Sequence, residues 1–349
     1  MKDIVAYRIK NARLLKGYSQ QQLADAMNIT KQMISKYEKG IAIPSSRKLI
    51  ALSKIFNVKV DYFFNSYKLE IENVDFRKKV KFTKIKQNAL RAQIKIKLEN
   101  YLWLEDTLSI DYSFQNPIKD LRVNSIEDVE KAVLQLREHW NIGTDPLHNC
   151  IQLLEDQEIK VIDLDNVDDT FDGLATYAED KYPVIVVNKN FLVERKRFTL
   201  LHELAHLLLN MPGCDKKEEE LLCNKFASEF LYPKNIVISD FGGRRISVGL
   251  NELIATQKKY GISIPAIIYR LVDANILSKD KLRQFYQRIN SNQSLKDVVN
   301  ESRFETPEVS SRFERLVYRA LDQEAISNSK ASALLNIDIA KLKDSYALI

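Results

Sequence analysis

The chain has 349 residues, 45% of them hydrophobic, which is ample for packed cores and suggests two or three domains. It has no run of about 18 apolar residues, and its first ten, MKDIVAYRIK, lack an apolar centre; a membrane span and a secretory leader are therefore not expected. Cys150, Cys214 and Cys223 are odd in number and form no CxxC pair, which fits free thiols in a reducing cytoplasm, the expected location.

The net charge of +6 hides an asymmetry: residues 1–100 hold 22 Lys and Arg against 8 Asp and Glu, and the rest holds 31 against 39. A basic first third suits a polyanion such as nucleic acid, although a lysine-rich solvated surface gives the same count. Residues 3–16 read as an amphipathic helix through Ile4, Tyr7, Ile9 and Leu14, stopped by Gly17. Ser19 and Gln22 have the spacing of a capping box for a short second helix. Asn28 and Ile29 make a tight turn, and Thr30 caps a third helix that ends at Gly40. Pro44 and two serines open a fourth helix, and Asp61 is expected to cap a short fifth, DYFF. Two short helices joined by a tight turn fit a helix-turn-helix.

The run SQQQLADAMNITKQMISKYEKGIAIPSSRKLIALSKIFNVKVDYFF resembles the XRE-type, Cro/repressor-like helix-turn-helix domain along its whole length. The matching features are the Gln opening the second helix, the LA pair, the IS..E..G run, the Pro after the turn and the L...F.V....F ending. The resemblance implies binding to double-stranded DNA. Gln32 can make a bidentate contact to an adenine edge, Lys31, Ser35 and Lys36 share its helix, and Gln20 suits a phosphate. The same side chains would also serve as the solvated face of a bundle that binds another protein. Modules of this kind often dimerise to read two half-sites, so a homodimer is one expected state.

Residues 76–108 contain no Pro or Gly and read as one or two Lys-rich helices spacing the first module from the remainder of the chain. A capped amphipathic helix is expected over 125–140, and Asp145-Pro146 is expected to open another. The runs KVIDLD, LATYAED and YPVIVVN read as short strands, the last two joined by a compact turn at Asp180-Lys181.

Next comes the helix ERKRFTLLHELAHLLLN. Positions i and i+4 share a helix face, so His202 and His206 can grip one metal ion with Glu203 beside it, the HExxH arrangement of zinc hydrolases. A catalytic zinc needs a third protein ligand and an open position. No third His follows, and His139 and His148 lie upstream on other expected helices, which leaves a carboxylate or a thiolate. On the helix in KKEEELLCNKFASEFLYP, Glu220 can ligate and Asn224, four residues on, can hydrogen-bond a ligand; Glu218 and Glu219 compete with Glu220. Cys214 and Cys223 are poorer candidates, because thiolates favour closed structural sites.

VIVVN, RFTLLHELAHLLL and E..CN.FASEFLYP, in that order, resemble the ImmA/IrrE family of metallopeptidases over roughly residues 125–275. The family usually has Gly before the second His and a Leu-Leu-Met-Pro ending; here these are Ala205 and Phe230-Leu231-Tyr232-Pro233, changes that leave the chemistry untouched. Zinc is the expected cofactor, with manganese or iron also compatible with the ligand set. Glu203 would be the catalytic base. YPVIVVN is expected to be an edge strand able to pair with an extended substrate, although an ordinary buried strand reads the same way. Tyr177, Arg195 and Arg197 are candidate oxyanion donors by proximity in sequence alone.

The expected class is α+β, mostly helical: a five-helix DNA-binding domain over 1–66, a helical connector over 67–124, a zincin-like metallopeptidase domain with a small β-sheet over 125–275, and a helical C-terminal region over 276–349. Within that last third, LIATQKKYGISIPAIIYRLVDANILS and AISNSKASALLNIDIAKLKDSY both have a helix-turn-helix outline, suited to packing or partner docking. The resemblance implies a DNA-binding regulatory protease that cuts a repressor-like protein. The alternatives are a regulator whose peptidase-like domain senses a metal, ligand or protein, and a component of a toxin–antitoxin or phage-related module.

Overall fold

The computed structural model describes residues 2–65, 69, 83–165, 167, 168 and 170–346. The chain forms two compact units, Met1–Asp111 with Phe313–Ile349, and Tyr112–Arg312. The described residues are mostly helical with one three-stranded sheet, as expected from the patterning. No helix among them is long and apolar enough to cross a membrane.

The first unit opens with α1 (Lys2–Leu15), and Gly17 then turns the chain with φ +69. Helix α2 (Gln20–Ala26) starts in the expected capping box of Ser19 and Gln22. Asn28 takes φ 50 in the tight turn, and Thr30 caps α3 (Lys31–Glu38). Helix α4 (Ser46–Phe56) ends at the left-handed Asn57. The last piece is a 3-10 turn, Val60–Phe64; Asp61 lies inside it and Lys59 takes the capping position expected for Asp61. Ile9, Leu23, Ile34, Leu52, Phe56 and Phe63 fill this module's core.

Of the connector, α5 (Lys84–Thr107) is a single helix capped by Thr83; residues 76–82 of the expected helical run lie outside the described residues. Glu99 on α5 is buried, forms an ion pair with buried Arg8 of α1, and accepts the Tyr7 hydroxyl at 2.6 Å.

The second unit begins with α6 (Ile126–His139), capped by Ser125. Helix α7 is shorter than the run after Pro146 suggested, spanning Cys150–Asp156. Asn149 caps it by accepting the Gln152 amide, while the Leu147 and His148 carbonyls are taken by Arg197 and so are not available to extend the helix upstream.

Three strands come next: β1 (Lys160–Leu164), β2 (Gly173–Ala178) and β3 (Tyr182–Asn188), in the order β1-β3-β2. β3 is parallel to β1, with Lys160 opposite Val184, and antiparallel to β2, with Ala178 opposite Tyr182. Three residues join the two strands: Glu179 and Asp180 both take φ 51, and the Lys181 amide donates to the Ala178 carbonyl at 3.1 Å. The expectation of YPVIVVN as an edge strand is therefore overturned. It is the central strand, and its unbroken buried run from Pro183 to Asn188 is what a strand covered on both faces needs. The edge nearer the metal-binding motif is β2.

Helix α8 (Val193–Leu208) packs on β2 and β3 and against α9 (Lys216–Leu231). The remainder is α10 (Lys234–Phe241), α11 (Leu250–Tyr260), α12 (Ile264–Asp273), α13 (Lys279–Ser291) and α14 (Gln293–Glu301). Leu136, Ile151, Ile185, Leu204, Phe226 and Leu271 are among the residues of one continuous core.

The C-terminal segment completes the first unit with α15 (Arg312–Asp322), α16 (Asn328–Leu335) and α17 (Ile339–Tyr346). Leu316, Val317, Ala320 and Leu342 pack against Tyr101 and Leu104 of α5. Its helix-turn-helix outline is real: Ser327 caps α16 as Ser19 caps α2, and Asn336 turns with φ 53 as Asn28 does. Ile339 and Ala340 open the second helix of this pair, where α3 opens with Lys31 and Gln32.

Candidate metal centre

Two histidines on α8 and one glutamate on α9 meet where the helices pack. The Nε2 atoms of His202 and His206 are 3.2 Å apart, and Glu220 places its two oxygens 3.3 Å from one and 3.7 Å from the other. Ligands about 2.0–2.1 Å from a tetrahedral ion are separated from each other by about 3.3 Å. The three donors already lie close to those separations, so the set fits a small tetrahedral cation. Among the described residues no other group of His, Cys, Asp and Glu side chains is drawn together in this way.

The other ring nitrogens are engaged. His202 Nδ1 donates to Asn224 Oδ1 at 3.0 Å, and His206 Nδ1 lies 3.6 Å from the Cys223 sulfur. Both rings present Nε2 towards Glu220, and the Asn224 oxygen favours the His202 tautomer that carries its proton on Nδ1 and can ligate through Nε2. Asn224 was expected from its spacing. The Cys223 contact was not, although Cys223 lies three residues after Glu220 and hence on the same helical face. The competing glutamate Glu218 is occupied elsewhere, accepting the Asp215 amide in the capping box of α9.

Glu203 is 2% exposed and points from α8 towards the sheet. A Cβ added to Gly173 at the start of β2 would lie 3.3 Å from Glu203 Cγ and 2.8 Å from Thr199 Cγ2. The missing side chain at Gly173 therefore lets the helix approach the edge strand closely.

The sequence-adjacent oxyanion candidates separate. Arg197 is completely buried, its guanidinium held by Glu308 and by backbone carbonyls, so it is a structural group and that expectation is withdrawn. Arg195 is half-exposed and pairs with Asp172. Tyr177 donates its hydroxyl to the Leu207 carbonyl at 3.4 Å, and burial raises its pKa, so it stays a neutral donor.

In the first unit, Lys31, Gln32 and Lys36 are exposed along α3, and Ser35 is half-buried beside them. Gln20 donates its amide to Glu38, which also takes a two-point contact from Arg13. The structure thus ties Gln20 to the end of α3 and leaves the other four side chains on one face.

A helix-turn-helix family model matches residues 9–63, and an IrrE N-terminal-like domain model matches residues 154–272. The SPbeta prophage-derived uncharacterized HTH-type transcriptional regulator YonR of Bacillus subtilis is 47% identical over 55 residues, 16% of this chain and 51% of its own. The uncharacterized HTH-type transcriptional regulator YgzD of the same organism is 32% identical over 57 residues, 16% of this chain and 86% of its own. A solved transcriptional regulator of Mycobacterium tuberculosis aligns over 49% of this chain and 51% of its own, at 18% identity and TM-score 0.33. The chain spans about half the length of the first curated relatives it matches. Taken with the capped helices of the first unit and the paired helices of the second, the two family matches show that the chain belongs to the XRE-type helix-turn-helix proteins and carries an IrrE/ImmA-like domain.

Proposed function

We propose that this protein is a DNA-binding regulatory zinc metalloprotease that cleaves a repressor-like protein to control gene expression, acting in the cytoplasm. The observation that carries the reading is the convergence of His202, His206 and Glu220 at tetrahedral spacing, with Glu203 on the same helix. Zinc held by these three residues would supply a Lewis acid that polarises a scissile carbonyl and lowers the pKa of water. Glu203 takes a proton from the attacking water and passes it to the leaving amine. Its burial keeps the carboxylate away from bulk solvent, and its stem under Gly173 directs it to the β2 edge. An extended substrate would add to that edge by backbone hydrogen bonds, with β2 taking the role first expected of β3. Tyr177 on the same strand is the proposed donor to the developing oxyanion. Lys31, Gln32, Ser35 and Lys36 would read the DNA that brings the protease to its target.

The test compares intact proteins from host cells expressing the wild type or Glu203→Gln, with zinc content measured on both purified chains. Equal zinc, together with one DNA-binding protein shortened only by the wild type, supports the reading and names the substrate. Equal zinc and identical proteomes, at rest and under stress, would replace it with a metal-dependent sensor. Absence of zinc from the wild type would remove the metal centre itself.

A further inference from the structure

The buried half of α8 is fastened by a segment that lies beyond the IrrE-like match. That match ends at residue 272, whereas residues between 302 and 312, in the same unit, bond to the first turns of α8. Glu194 accepts the Phe304 amide at 2.7 Å. Lys196 donates to the Glu308 carbonyl at 2.9 Å and to Asp163 on β1 at 3.0 Å. Arg197 donates to the Glu308 carboxylate at 2.8 Å, and the other Glu308 oxygen accepts the Ile151 amide at 2.8 Å. Arg197 is 0% exposed and Glu308 3%.

Arg197 also gathers carbonyls from the segment before α7 and from the end of α11. A Cβ on Gly261 would lie 2.5 Å from Arg197 Nε, and Gly261 has φ +62, so that position has neither the space nor the backbone for a side chain. The guanidinium is thus the point where α7, α8, α11 and the strap are pinned together, and Glu308 is the anion that balances it. A buried cation left without its anion drives the surrounding structure to rearrange.

We propose that Glu308 is a positioning residue for the metal-binding helix, holding α8 in register against α9 through Arg197. The inference rests on the reading of His202, His206 and Glu220 as a metal centre. Arg197 precedes His202 by five residues, about 7.5 Å along the helix axis. The ligands sit on two separate helices, so a slide or roll of α8 by a few tenths of an ångström changes the separations between the histidine nitrogens and Glu220 directly. The segment that matches the family contains the three ligands but lacks the anion that fixes one of the two helices.

The test uses the full chain, with zinc affinity measured by chelator competition at a temperature where every variant is folded. Glu308→Gln should weaken zinc binding about ten-fold, the lower end of what loss of a supporting contact does to a metal site. In the metal-free protein it should also speed hydrogen exchange of the amides between residues 198 and 206. Glu308→Asp, which keeps the charge, should fall between this variant and the wild type and covers the case in which the amide variant does not fold. Glu99→Gln, which breaks the buried pair with Arg8 in the first unit, is the control and should lower stability with zinc affinity unchanged. If Glu308→Gln melts earlier but binds zinc within two-fold of wild type, with unchanged exchange in α8, the strap merely adds stability and the proposal is wrong. Should the wild type bind no zinc, the metal reading fails on its own, and the α8 exchange rates still decide the role of Glu308.

Discussion

Gly173→Ala would test how tightly the edge strand is fitted against the helix that carries Glu203. Its added Cβ would lie 2.8 Å from Thr199 Cγ2, 2.9 Å from the Val186 carbonyl oxygen and 3.3 Å from Glu203 Cγ. The first two distances are well inside van der Waals contact, and the Val186 oxygen belongs to the backbone of central strand β3, which cannot turn aside. Either β2 or α8 must move. Overpacking of this kind costs about 1–3 kcal/mol. For a body of about 200 residues each kcal/mol lowers the midpoint by about 2–4 °C, so a drop of about 2–12 °C is expected. Thr199→Ser removes the Cγ2 atom and should return part of the loss in the double variant, the contact with Val186 remaining. Calorimetry of the four proteins gives the coupling directly. A single variant that melts within a degree of wild type, or a double variant with no recovery, would show that the close approach is absent and that nothing presses Glu203 towards the strand.

Glu155 on α7 is 2% exposed, and burial pushes its pKa up to about 7, against the lowering effect of Ser310, Arg312 and Lys160. A carboxyl raised in the folded state stabilises it fully below the ordinary value of 4.5, and the benefit is lost as pH rises through about 7. Glu155→Gln should therefore match wild type near pH 4.5 and exceed it at pH 8 by about 3–4 kcal/mol, from a rise of 4.5 to about 7 at about 1.4 kcal/mol per unit. Denaturant midpoints at the two pH values check this, and an equal difference at both would refute it. On DNA selected from a random pool, Gln32→Ala should cost about 1–3 kcal/mol at one base pair and relax the preference there. Lys36→Ala should weaken all sequences alike and reduce the salt slope by about one. A base-specific loss from Lys36→Ala would exchange the two roles.

Much of the local structure could be read from capping and turn residues, because these act over three or four positions. Ser19 with Gln22, Thr30 and Ser125 all cap as their spacing requires, and the hairpin expected at Asp180-Lys181 turns one residue earlier, at Glu179-Asp180. That His202 and His206 share one helix face, and Glu220 and Asn224 another, was legible for the same reason, and the structure brings both faces together. Strand order was not. YPVIVVN carries no mark of which neighbours flank it, and its buried run fits a central strand or an edge under cover. The role of Arg197 was hidden more deeply, since its partner Glu308 lies 111 residues away and no local pattern links them. Helix α7 starts late because carbonyls upstream of it answer to that distant arginine.

The first unit is assembled from both ends of the chain. Tyr101 and Leu104 are synthesised well before their partners Leu316, Val317, Ala320 and Leu342. Roughly 200 residues separate the two sets, and at about 5–20 residues per second α5 waits on the order of 10–40 s with an apolar face uncovered. During that interval the nascent chain is a client for holding chaperones. A stop codon after the second unit would make the exposure permanent, so truncated products should be cleared or should aggregate even where their remaining sequence is intact.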